Sequence, residues 1–272
     1  MWSTAGFPIF EMYIMHQLLQ QLGLETAWTM VRYFLIAGTA FLVFYWMLAP
    51  KLGASKIQQR KARRSDFFRE IMHSSSSSVM LAAMAILALS DAVRPYTFVY
   101  TEMSDYPLWW FGLSVALALV VHDTYFYWMH RVLHHPKMFR LTHLVHHKST
   151  NPSPFTAYSF HILEAIAEGG VVPVLVFAMP MHPAAISLFA LSSLVINVYG
   201  HLGYEIMPKF FRRTWLFEIL NTSTFHNFHH LKFRGNYGLY FRVWDRWMGT
   251  EHPDYIGEYD RIQARRFGPS RI

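Results

Sequence analysis

The stretch from His122 to His147, HDTYFYWMHRVLHHPKMFRLTHLVHH, constrains the fold more than any other part of the chain. It holds two histidine clusters, His130-x-x-x-His134 and His143-x-x-His146-His147. A third, His226-x-x-His229-His230, follows about eighty residues later and repeats the spacing of the second. Residues three and four apart share one face of a helix, so each cluster can aim two or three imidazoles at one point. A fold that uses all three must bring distant segments together.

A lone histidine on an apolar helix is usually a satisfied core residue, and a histidine run can be a solvated patch. Three clusters, two with the same spacing and one in an apolar setting, are not expected from composition and read as a metal-binding arrangement. A structural zinc needs about four ligands, usually with thiolates among them, and a catalytic zinc about three plus water. The clusters hold eight histidines and the chain has no cysteine. That number suits two metals, and imidazole suits iron, copper, nickel or zinc.

Composition places these clusters in a membrane protein. The 272 residues are 53% hydrophobic and 17% aromatic, high for a soluble enzyme. Without cysteine, the chain itself supplies no disulfide, iron–sulfur cluster or thiolate zinc site. The net charge of +7 comes without a nucleic-acid-binding motif, and the aromatic residues lie in apolar runs, so no nucleic-acid partner is expected.

Residues 1–26 carry no lysine or arginine and no small-residue cleavage site, which predicts an interfacial segment rather than a signal peptide. A first span is predicted over 27–48, long enough to cross a hydrocarbon core of roughly 30 Å. The loop that follows carries Lys51, Lys56, Arg60, Lys61, Arg63, Arg64 and Arg69 and is cytoplasmic by the positive-inside rule. Further spans are predicted over 72–93, despite the serine run Ser74–Ser78, and over 108–128, which delivers His130 to the cytoplasmic end. Residues 147–160, rich in proline and serine, read as a loop. Apolar stretches over 162–179 and 184–204, separated by Met-Pro-Met-His-Pro, form an outward-and-back hairpin, fully spanning or re-entrant. The expected architecture is an all-α integral membrane helical bundle of about four to five spans with a cytoplasmic, histidine-rich di-metal cap.

Four phrases, DTYFYWMHRVLHH, HLVHHKSTNPSPFTAYSFH, NVYGHLGYE and FHNFHHLKFRGNYGLYFRVWDRWMGT, together resemble the sterol desaturase / fatty acid hydroxylase superfamily of membrane non-haem di-iron enzymes. The resemblance covers about 105–255, and PSPFTAYSFH is most similar to the sterol ring desaturase branch. It implies a di-iron hydroxylase or desaturase domain over 105–255, which follows the N-terminal interfacial segment (1–26) and the membrane spans with a basic loop (27–104) and precedes a basic tail (256–272). It also implies two ferrous ions ligated by His130, His134, His143, His146, His147, His226, His229 and His230, with His201 as an extra ligand. Asn197, one turn before His201, stands where a residue is expected to hold a metal-bound water, and His161 matches a family histidine. His122 and His135 are read as neighbours of the ligands; His16, His73, His182 and His252 are not assigned to the site.

A ligating imidazole needs its other nitrogen hydrogen-bonded. Asp123, seven residues before His130 on the same helical face, is expected to support the first cluster. Glu205, four after His201, and Glu164, three after His161, are candidates for the same work. Asp245 and Arg246 are expected to form a structural ion pair.

The activity implied uses dioxygen and two electrons to hydroxylate or desaturate an unactivated C–H position of a lipid (sterol-like, isoprenoid or fatty-acyl) entering from the bilayer. The sequence has no flavin or nicotinamide fingerprint, so electrons are expected from a separate reductase, ferredoxin or cytochrome. The basic loop and the tail residues Arg261, Arg265, Arg266 and Arg271 can be read as docking an acidic carrier or as positive-inside topology. The expected location is a bacterial inner membrane or endoplasmic reticulum, with the active site on the cytoplasmic face. The alternative is a histidine-rich membrane metal transporter or metal-binding protein, which would string ligands along the spans. A zinc protease would need H-E-x-x-H, which is absent.

Overall fold

The structure is a computed structural model that describes residues 7–268. The chain is helical, and among the described residues the only β pairing is in isolated bridges. Its helices are α1 (Phe7–Phe41), α2 (Arg64–Leu89), α3 (Leu108–Leu133), α4 (Pro136–Thr142), α5 (Leu144–His147), α6 (Ile162–Gly169), α7 (Val171–Ala178), α8 (Pro183–Gly200), α9 (Trp215–Ile219), α10 (Ser223–Lys232), α11 (Val243–Trp247) and α12 (Tyr255–Phe267). Four stretches among them are long and apolar enough to cross a membrane: Glu11–Met47, Arg64–Leu89, Leu108–Leu133 and Pro183–Gly200.

α1 continues through a π-helical turn, Leu42–Met47. The 37 residues Glu11–Met47 extend about 55 Å at 1.5 Å each, nearly twice the hydrocarbon core. No break separates the expected interfacial segment from the expected first span, and residues 1–6 of that segment lie outside the described residues. The two parts differ in packing. Met12, Leu19 and Leu24 are exposed, whereas Tyr33 and Ala37 are fully buried.

α2 begins at Arg64, inside the stretch expected as a basic loop, because Asp66 accepts the Arg63 amide and closes the first turn. The serine run lies mid-helix. Ser74 Oγ donates to the Phe155 carbonyl at 3.0 Å and Ser77 Oγ to that of Phe160 at 3.3 Å. Small hydroxyl residues thus let the 149–160 segment lie close against α2. That segment is buried rather than a surface loop, and its polar groups are satisfied from α1, from α2 and within the segment itself. Tyr33 reaches the Phe155 carbonyl from α1 (2.7 Å), and the fully buried Glu70 accepts from Ser149 (2.8 Å) and Ser153 (2.5 Å).

The outward limb of the hairpin is split into α6 and α7 at Gly169–Gly170. A Cβ at Gly169 would lie 2.8 Å from Met84 Cβ, and one at Gly170 would lie 2.6 Å from Tyr125 Oη. Pro173 also removes a backbone donor just beyond the break. The limb is therefore not among the four candidate spans. The stem core packs α2, α3, α7 and α8 through Ala88, Val115, Leu175 and Phe189. A separate aromatic cluster, Phe211, Phe217, Phe225, Tyr255 and Tyr259, forms the core of the cap.

α12 closes the cap onto the start of the basic loop. Arg265 donates to the carbonyls of Ala54 (2.8 Å) and Lys56, and Arg266 to Ser55 Oγ (3.0 Å) and the Met207 carbonyl (2.6 Å). These two arginines are used inside the fold, and Arg261 pairs with Glu258 at 2.6 Å. Arg271 lies outside the described residues. Because α12 touches residues 54–56, the basic loop and the C-terminal helix must share one side of the membrane. Topology reporters placed at Arg64 and after Ile272 are expected to read the same, cytoplasmic side; opposite sides would overturn this arrangement.

Candidate metal centre

The histidine clusters do not map one-to-one onto sites. Nine histidines form two groups, His130, His134, His143, His147 and His229 in the first and His146, His201, His226 and His230 in the second, each with its ligand atoms within 4.8 Å of one another. The second and third clusters are each shared. In His143-x-x-His146-His147 the i, i+4 pair joins the first group and the i+3 residue the second; in His226-x-x-His229-His230 the assignment is reversed. Residues i and i+4 stack on one helical face, while i+3 is turned away enough to reach the neighbouring group. The groups adjoin, with the His147 and His230 rings 4.8 Å apart.

The nitrogens that converge are Nε2 atoms. Those of His130 and His143 are 2.9 Å apart, and those of His134, His147 and His229 are 3.1–3.2 Å apart. In the second group, His201 Nε2 lies 3.3 Å from His146, 3.1 Å from His230 and 3.0 Å from His226. Several opposite nitrogens are pinned. His130 Nδ1 faces the Tyr237 carbonyl (2.8 Å), His229 Nδ1 that of Gly235 (2.7 Å), His201 Nδ1 that of Asn197 (2.8 Å), and His143 Nδ1 the Glu164 carboxylate (2.6 Å). A carbonyl or carboxylate can only accept, so each of these Nδ1 atoms donates and each Nε2 carries a lone pair.

Burial and the neighbouring imidazoles hold His143, His147, His226 and His230 well below the usual histidine range. Burial alone brings His229 down to about 4, and it is the main cause of a similar value at His201. Neutral imidazoles with bare Nε2 atoms about 3 Å apart repel unless a cation lies between them. Nitrogens held about 2.0–2.1 Å from one ion are themselves about 3–3.4 Å apart. The donor set therefore fits metal ions.

The loop 233–241 supplies the carbonyls for His229 and His130. Phe233, Gly235 and Asn236 all have positive φ (62°, 72° and 56°), which turns the chain back over α10. A Cβ at Gly235 would lie 2.5 Å from the Thr250 carbonyl. Asn236 tolerates its conformation because its amide donates to the Phe225 carbonyl (3.1 Å) and accepts from His252 N (2.7 Å). Two buried acids clamp the rest of the loop. Asp245 accepts the amides of Tyr237 (2.9 Å) and Gly238 (2.6 Å), and Asp123 those of Leu239 (3.2 Å), Tyr240 (2.7 Å) and Phe241 (3.1 Å).

Several partners thus differ from those expected. Asp123 binds no imidazole; it holds the loop whose Tyr237 carbonyl orients His130. Glu205 accepts from Met207 N (2.9 Å) and from Thr224 N (3.2 Å) and Oγ1 (2.7 Å), fixing the first turn of α10 rather than His201. His161 lies outside both groups and caps α6 by accepting Leu163 N (3.2 Å). The Asn197 side chain donates to the Ala157 carbonyl at 2.8 Å, while its backbone carbonyl serves His201. Asp245 and Arg246 form no pair with each other, since Arg246 bonds Glu218 at 2.6 Å. The carboxylate that does meet a site imidazole is Glu164, twenty-one residues from His143. Its place near His161 in the sequence marked it no more strongly than Glu205.

Fold and site together define a helical membrane protein with a buried, histidine-lined centre able to hold metal. The chain belongs to the fatty acid hydroxylase family, whose pattern matches residues 115–250, half of its length. It is 30% identical over 170 residues to a Delta(7)-sterol 5(6)-desaturase of Gibberella zeae, covering 62% of this chain and 51% of that protein. It is 31% identical over 189 residues to the lathosterol oxidase of Rattus norvegicus, covering 68% and 61%. A Delta(7)-sterol 5(6)-desaturase of Aspergillus fumigatus is 27% identical over 219 residues, covering 80% and 58%. The matched part thus spans about half to three-fifths of these curated relatives. No solved structure matches the chain.

A carboxylate on a ligating histidine raises ligand basicity and fixes its orientation, and losing such a partner typically weakens metal binding about 10–100-fold. Glu164→Ala is expected to lower metal retention against a chelator by that order, whereas Glu205→Ala lowers the melting temperature with little loss of metal per folded chain. Equal retention in Glu164→Ala and the parent would remove Glu164 from the site.

Proposed function

We propose that the chain is a membrane-embedded di-iron oxygenase that hydroxylates or desaturates an unactivated C–H position of a lipid, with residues 105–255 as the catalytic unit. The observation that carries this reading is the pair of adjoining imidazole groups with inward lone pairs. The family match and the sterol-oxidising relatives support it. When bound, two ferrous ions would supply the activation of dioxygen, and electrons would come from a separate carrier. His130, His134, His143, His147 and His229 would hold one ion and His146, His201, His226 and His230 the other. The four-histidine group then leaves more of its ion's coordination open to small molecules. A transporter reading is disfavoured, because the ligands are gathered in one place rather than strung along the spans.

The protein's own part is placement and exclusion of water. Eight of the nine imidazoles are buried, with His134 half-buried, and the Phe160 ring lies 5.2 Å from that of His146. Glu164 and the 233–241 carbonyls fix the rings of His143, His130 and His229 without competing for Nε2. Asn197 fixes His201 through its backbone and the 149–160 segment through its amide, so its substitution is expected to spare His201.

Dioxygen uptake and product mass spectrometry after co-expression with a reductase and candidate lipids test this reading. Alanine at His143, His147, His226 or His230 is expected to abolish product and lower bound metal, while His16→Ala and His252→Ala leave both unchanged. His201→Ala is expected to lose metal, whereas Asn197→Ala keeps most of it with reduced turnover. Damage at His16 and His252 equal to that at the cluster residues would sink the assignment.

A further inference from the structure

A recess of about 490 Å³ opens where the basic loop meets the first turn of α2 and the segment that follows the second histidine cluster. Arg60, Lys61, Arg63 and Lys148 line it, together with Thr150 and Asn151. All four cations are exposed, and among the described residues none is paired with a carboxylate. The acid in the lining, Asp66, is already engaged by Arg69 at 2.7 Å and by the Arg63 amide at 3.1 Å. Glu70 bonds Ser149 from behind, but it is buried and also accepts from Ser153. The recess is thus a concentration of positive charge that the fold does not neutralise.

Hydrogen bonds hold that charge in place. Arg60 Nη2 donates to Thr150 Oγ1 (2.9 Å), the Asn151 amide donates to the Arg60 carbonyl (2.7 Å), and Arg69 donates to Ser149 Oγ (3.2 Å). Gln58 donates to the Thr150 carbonyl (2.7 Å) and so ties the same two segments together. A fold that fixes four like charges around one space leaves a repulsion that an anion relieves.

We infer that this recess binds the phosphate of an anionic phospholipid headgroup. Guanidinium groups meet phosphate oxygens with paired N–H donors, and ammonium groups meet them as point charges. Free phosphate shares this chemistry, but the position of the recess favours lipid. α2 begins at Arg64 and is long and apolar enough to cross a membrane, so Arg60, Lys61 and Arg63 stand just before its first turn, at the level of the headgroups. Clusters of about four to eight Lys and Arg beside a span attract anionic lipid. Phe68 and Met72, one and two turns beyond Arg64, are exposed apolar side chains along which acyl chains can lie. A headgroup here braces residues 148–151, directly after His147, against the start of α2. No histidine lines the recess, so the site is separate from the metal centre.

The test uses the purified full chain in an uncharged detergent at constant ionic strength. It is titrated with dioleoylphosphatidylglycerol, dioleoylphosphatidylcholine or inorganic phosphate, and binding is read by native mass spectrometry and thermal shift. The unmodified protein is expected to bind phosphatidylglycerol about tenfold tighter than phosphatidylcholine, whose choline cancels the phosphate charge. Lys61→Ala combined with Arg63→Ala is expected to weaken phosphatidylglycerol about twentyfold, since cations near an anionic headgroup are worth roughly fivefold each. Lys232→Ala combined with Arg234→Ala removes the same charge from a different recess. That control is expected to keep the affinity within about twofold, because salt screens distant charges. Equal loss in both double variants, the mark of net charge alone, overturns the inference. So does equal binding of the two lipids by the unmodified protein, a comparison that needs no variant to fold. Inorganic phosphate that displaces phosphatidylglycerol at matched concentration overturns the lipid as the source of the phosphate.

Discussion

The structure depends on a repulsion it does not resolve with its own atoms. Neutral imidazoles present lone pairs to one another at about 3 Å inside a buried cap, where the low dielectric magnifies any electrostatic mismatch. Protonating one ring of a pair would relieve the clash, but burial holds those of the cap neutral. Rotating the rings of His130, His143, His201 and His229 is blocked by the acceptors on Nδ1. The remaining relief is a cation between the nitrogens, and the rest of the cap keeps that geometry in place.

The supporting contacts are layered. Loop carbonyls and Glu164 orient the rings; Asp123 and Asp245 hold the loop by its amides; Asn221 ties it to the start of α10 by bonds to Gly238 and Tyr240. On the opposite flank, Gln58 bridges the Thr150 carbonyl and Asn227, joining the segment after the second cluster to the helix of the third. Asp123 and Asp245 are held by backbone donors rather than by counter-ions.

Sharing clusters between the two groups has a mechanical consequence. His146–His147 and His229–His230 are adjacent pairs whose members serve different groups, so α5 and α10 are common walls. A shift of either helix moves both groups together. The buried 149–160 segment, held by Tyr33, Glu70 and Ser74, links these walls to the membrane stem.

Much of this was legible in the sequence because it is periodic. Apolar runs of helical length give the long helices, and histidines at i, i+3 and i+4 announce imidazoles on shared faces, so the all-α membrane architecture and the ligand types follow from spacing. Spacing also fixes which histidines can act as i, i+4 pairs. It does not say which pairs from different helices converge, nor that Glu164 rather than Glu205 or Asp123 meets an imidazole, because those contacts join residues 13 to 107 positions apart. The carbonyls of Gly235 and Tyr237 are backbone atoms, present at every residue, and only the left-handed turn at 233–236 makes them ligand supports. The sequence determined the local faces, since a helix's geometry is set by neighbours within one or two turns; the tertiary structure decided the partition into two groups and the partners that orient them, since these depend on where separate helices meet.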